Sequence, residues 1–106
     1  MSRNTTAVLL ALIVMLAAVP SFAASDGAAL FKSKCAVCHG EDGSGNTKMG
    51  KTMKLRPLGS PEVQKQTDKE LYAWTAEGKG KMPAYKNKLS EEDINALVAF
   101  MRTLAK

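Results

Sequence analysis

The sequence predicts an all-α chain with one chemical site, and three observations carry that prediction. Thr67-Asp68-Lys69-Glu70 and Ser90-Glu91-Glu92-Asp93 each set a hydroxyl residue three positions before a carboxylate, the pattern that caps a helix start. After the second cap, Ile94, Leu97, Val98, Met101 and Leu104 recur at helical spacing and form one apolar stripe. No segment shows a convincing strand pattern.

Taken in order, Met1–Thr6 is short and polar with Arg3 as its one positive side chain, and Ala7–Val19 is an unbroken apolar run. Pro20 and Ser21-Phe22-Ala23 follow, with the small–x–small pattern that signal peptidase cuts. The run falls short of the roughly 20 apolar residues that span a bilayer. Residues 1–23 are therefore expected to be a cleaved signal peptide, a retained anchor being the other reading. Residues 24–106 are expected to form one domain in the periplasm or another extracytoplasmic space, with no membrane span.

Ser25 and Asp26 can cap a first helix running to about Cys38, with Leu30, Phe31 and Cys35 on one side. Gly40–Gly59 reads as a long irregular stretch, followed by a short helix near Pro61–Gln66 that has proline at its first position. The Thr67 cap starts a helix carrying Leu71 and Trp74 that ends at Gly78. Gly78–Leu89 is a second irregular segment, and the last helix runs from Glu91 to about Ala105. Long irregular segments in a small domain mark functional sites.

So small a domain needs help to hold its core, and two cysteines three apart offer no disulfide framework. They belong instead to Cys35-Ala36-Val37-Cys38-His39, the Cys-x-x-Cys-His pattern of covalent haem attachment. Residues three and four apart share a helix face, so both thiols and the imidazole project the same way. The thiols can add to the two vinyl groups of one haem edge while the imidazole reaches the iron. A thioredoxin-type pair would sit at a helix start after a strand, and none precedes it. A zinc site wants four ligands, and the chain has two cysteines and a single histidine.

The iron's sixth ligand should come from Met82, in Gly78-Lys79-Gly80-Lys81-Met82-Pro83-Ala84-Tyr85. Pro83 pushes the residue before it into extended backbone and so positions the thioether. Met101 lies on the apolar stripe and reads as core; Met49 and Met53 are weaker rivals in the other irregular segment. Trp74 reads as a core residue packed on the haem, a propionate donor being the other reading, and Tyr85 as either a propionate donor or an exposed turn residue.

On Cys35–His39, the Gly78–Tyr85 segment and the terminal helix after Leu89-Ser90, residues 24–106 resemble the small monohaem cytochromes c of bacteria and photosynthetic electron-transfer chains. The resemblance implies the class I cytochrome c fold: three main helices and a short one around one covalent haem c. It makes His39 the proximal and Met82 the distal iron ligand. It also implies that the first and last helices cross, Gly27 and Phe31 against Leu97 and Phe100. Relatives often have a proline soon after the motif whose carbonyl accepts the second ring N–H of the histidine. Residues 40–56 hold no proline, which leaves Pro57 or a carbonyl near Gly45–Met49 as the acceptor.

With both axial positions filled by protein, no iron site is open for substrate, and the only histidine is already used. The expectation is a non-enzymatic one-electron carrier acting as a monomer between redox proteins, the alternative being a small-ligand sensor in which Met82 is displaced. The net charge of +5 suits acidic docking surfaces, with Lys34, Lys79, Lys81, Lys86 and Lys88 beside the two ligands. The basic residues lack aromatic interleaving, which argues against nucleic acid.

Overall fold

The computed structural model describes residues 25–106, so the expected leader lies outside the described residues. Helices α1 Gly27–Lys34, α2 Ala36–His39, α3 Lys48–Met53, α4 Pro61–Gln64, α5 Asp68–Glu77 and α6 Glu91–Thr103 follow in order. No strand occurs among the described residues; extended pairing is confined to one isolated bridge between Lys79 and Met82.

The caps explain most of the boundaries. Asp26 accepts the Ala29 N–H at the start of α1. Thr67 and Glu70 satisfy each other's backbone donors at the start of α5, and Ser90 and Asp93 do the same for α6. The first helix departs from expectation: it breaks at Cys35, where φ is −115°, far from the helical value of about −63°. Cys35 thereby ends α1 and begins α2, yet the His39 N–H still reaches the Cys35 carbonyl at 3.0 Å.

The second departure is α3, inside the stretch expected to be irregular. Its cap is Thr47, whose hydroxyl accepts the Gly50 N–H at 2.8 Å and donates to the Cys38 carbonyl at 2.6 Å. A Cβ on Gly50 would collide with the Gly45 carbonyl oxygen and come within 2.7 Å of the Cys38 oxygen. A glycine that interrupts helix propensity is thus what lets α3 lie against α2.

The core forms where α1 crosses α6. Phe31, Leu97 and Met101 are buried there, with Leu30, Cys35, Leu58, Leu89, Phe100 and Leu104 packed around them. The rings of Phe31 and Phe100 meet at 5.0 Å, tilted by 44°, an arrangement aromatic pairs favour. Val63, Leu71 and Val98 form a second cluster joining α4 and α5 to α6. Met101 is core, as its place on the stripe requires.

Gly27 sets the closeness of the crossing, because a Cβ there would overlap the Ala96 carbonyl, with the carbon at 2.7 Å. Gly27→Ala should therefore force the helices apart. Overpacking of this kind typically costs about 1–3 kcal/mol. A lowered urea midpoint with an unchanged haem spectrum is the expected result; an unchanged midpoint would mean the contact yields freely.

Candidate haem site

Cys35, Cys38 and His39 are held by the turn that joins α1 to α2, and all three are half-buried. Burial, and then the neighbouring Cys38, push the Cys35 thiol up to about 11. A redox-active dithiol needs the opposite, a thiol brought down towards neutral pH. The His39 imidazole is pushed below its ordinary value by burial, which keeps the ring neutral and its lone pair free for a metal.

Nδ1 of His39 is buried with no hydrogen-bond partner among the described residues. Neither Pro57 nor a carbonyl of residues 45–49 accepts from Nδ1, so neither expected acceptor is in place. The carbonyls nearby are already engaged: Gly45 donates to the His39 carbonyl at 2.7 Å, and Thr47 N–H to that of Gly45 at 2.9 Å. Phe31 lies 6.4 Å from the imidazole, centroid to centroid, and ties the ring to the core.

Met82 sits in a tight reversal. Lys79 and Met82 exchange backbone hydrogen bonds of 3.1 and 3.0 Å, with Gly80 at φ +58° as the first of the two residues between them. Glycine at that position is what a two-residue reversal of this kind demands. Gly78 ends α5 at φ +66°, and a Cβ there would come within 2.7 Å of the Pro83 carbonyl carbon. The segment then folds back along the last turn of α5, Tyr85 and Lys86 each donating at 3.1 Å to the carbonyls of Thr75 and Ala76.

Tyr85 brings this segment to the motif. Its hydroxyl donates to the Lys34 carbonyl at 3.3 Å, next to Cys35. Burial and the two nearby cysteines push that hydroxyl above its ordinary value. Tyr85 is not the exposed turn residue of the second reading: it is half-buried and bonded to backbone. Trp74 stands 41% exposed at the margin of the protein core. The buried residues of α5 are Leu71, Thr75 and Ala76. The indole N–H of Trp74 donates to Gln66 Oε1 at 3.1 Å. Thr47, Gly50 and Gln66 carried no signal in the sequence beyond their types. Met49 is half-exposed, at 49%, on α3.

The donor set suits a covalent haem better than a bare ion. Two thiols and an imidazole project from adjacent turns, yet no three His, Cys, Asp or Glu side chains among the described residues gather as a metal-binding group. An imidazole kept neutral by burial, next to two thiols, is what an axial ligand and its attachment points require.

Helices packed this way around a Cys-x-x-Cys-His turn define a c-type cytochrome, with the cytochrome c fold and one covalent haem c. The chain belongs to the family described as cytochrome C oxidase, cbb3-type, subunit III, which matches residues 22–101. It is 33% identical to cytochrome c6 of Leptolyngbya boryana, over 74% of this chain and 88% of that protein. To the Cbb3-type cytochrome c oxidase subunit FixP of Azorhizobium caulinodans it is 35% identical over 77% of this chain, but over only 27% of that longer protein. Among solved structures, the KustC0563 c-type cytochrome superposes with a TM-score of 0.71 at 34% identity, covering 76% of this chain and 99% of that one.

Proposed function

We propose that the chain is a soluble one-electron carrier of the periplasm or a similar compartment, exchanging electrons with acidic redox proteins. In this reading Cys35 and Cys38 form the thioether bonds, His39 is the proximal ligand and Met82 the distal one. The observation that carries it is the Tyr85–Lys34 hydrogen bond, which brings the methionine segment alongside the attachment motif. Haem c supplies the one-electron change, and histidine–methionine ligation raises its potential relative to two nitrogen ligands. The protein's part is to hold both ligand-bearing segments still, so that little rearranges when the charge changes. The relatives that are cytochromes c6, matched over most of their length, favour a carrier; nothing in them favours a ligand-displaced sensor. Equilibrium titration should give a single one-electron wave, and the reduced protein should bind carbon monoxide poorly. Ready carbon monoxide binding would favour the sensor.

Partner docking follows from the lysines. Lys86 is ion-paired with Glu77 at 3.1 Å, and Lys79 and Lys88 lie over the rings of Trp74 and Tyr85. Lys34 and Lys81 have no ion-pair partner among the described residues and are exposed, which makes them the steering charges to test. Reversing both to Glu should slow reduction by an acidic partner roughly tenfold at low salt. The gap should close near 0.15 M salt, where the screening length falls to about 8 Å. Lys106→Glu, at the end of the terminal segment beside Gly59, should matter much less. Equal slowing by all the variants would mean that only net charge counts.

A further inference from the structure

The guanidinium of Arg102, on the last turn of α6, is spent on residues 64–68, from the end of α4 through the link to the start of α5. Nη1 donates to the Gln64 carbonyl at 2.8 Å and Nη2 to that of Gln66 at 2.6 Å. Nε donates to Asp68 at 2.9 Å, closing an ion pair at the start of α5. Gln64 completes the anchor by donating back to the Met101 carbonyl at 3.0 Å. An arginine fork matched to two carbonyls and a carboxylate fixes a backbone far better than a lone surface ion pair does.

The segment held in this way presents the Gln66 side chain to Trp74. Gln66 Oε1 accepts the indole N–H at 3.1 Å, and the Lys79 ammonium lies 5.0 Å from the indole centroid. Lys79 is in turn the residue whose backbone closes the reversal with Met82. Hydrogen bonds and a cation–π contact thus lead from the terminal helix to the methionine.

We propose that Gln66, anchored by Arg102, is a positioning residue for Met82, acting through the indole of Trp74 and the Lys79–Met82 reversal. This rests on Met82 being the distal ligand. The indole gives Lys79 a platform, the Gln66 hydrogen bond fixes that platform's rotation, and the reversal passes the constraint to the residue that must stay on the iron.

The test uses the haem-loaded protein. Gln66→Leu removes the acceptor but leaves the backbone carbonyl on Arg102; Trp74→Phe keeps a ring for Lys79 but removes the donor. Each should raise amide exchange at Lys79 and Met82, and the rate at which imidazole displaces the ferric iron's sixth ligand, by about three- to tenfold. The double variant should add nothing further, because both changes break the same bond. Arg102→Lys should give a smaller change of the same kind. If Gln66→Leu and Trp74→Phe leave both readouts unchanged while Met82→Ala speeds imidazole binding, the positioning role is overturned and the ligation stands. If Met82→Ala itself leaves imidazole binding unchanged, the ligation reading falls, and the inference with it.

Discussion

Replacing Cys35 and Cys38 together with Ala is expected to yield a chain that carries no covalent haem and does not hold its helices. Two small clusters make up the core, one where α1 crosses α6 and one between α4, α5 and α6. Neither involves α2, α3 or the segment around Met82. Three of the helices, α2, α3 and α4, have six residues or fewer, far below the length of about 12–15 at which an isolated helix becomes even marginal in water. A domain of this size commonly leans on a cofactor for the stability its core lacks. Loss of most far-ultraviolet helix signal in the double variant is the expected outcome. A haem-free variant with native helix content would show that the two clusters suffice.

Met82→Ala is expected to keep the haem attached and open the iron. In a methionine-ligated protein an added ligand binds only the open form. If that form is populated at about 0.1–10%, emptying the site permanently should raise apparent affinity for cyanide or imidazole roughly 10- to 1,000-fold. The reduction potential should fall, because the thioether's preference for ferrous iron is gone. Tyr85 still bonds to the Lys34 carbonyl through a residue the substitution leaves alone, so the segment should stay docked. Unchanged ligand binding and potential would move the assignment to Met49 or Met53.

The parts of this architecture legible in the sequence are those whose cause is local. Thr67–Glu70 and Ser90–Asp93 start their helices where the caps said, because a cap is written within four residues. The attachment motif is equally short-range. What escaped notice depends on distant partners. Helix α3 contains Gly50, a poor helix former, and exists because Thr47 and the Cys38 carbonyl hold it from outside. The break at Cys35 has no signature in polarity or spacing. Nothing local marks Arg102 as an anchor, because its partners lie 34 to 38 positions earlier. The indole N–H of Trp74 finds Gln66 eight positions earlier, a pairing that the spacing of Trp74 from Leu71 does not announce.

The close crossing of α1 and α6 also governs how the chain tolerates changes of length. Because its first and last described helices clasp each other, everything between them is a closed circuit whose cost depends only on the logarithm of its contour. Doubling such a loop costs about 0.6 kcal/mol, so extra residues between α3 and α4, or between α5 and α6, weigh little on stability. Shaving a turn from α6 is different in kind, because it removes Met101 from the clasp and opens the circuit itself. The chain is forgiving along its middle and strict at its two joined helices.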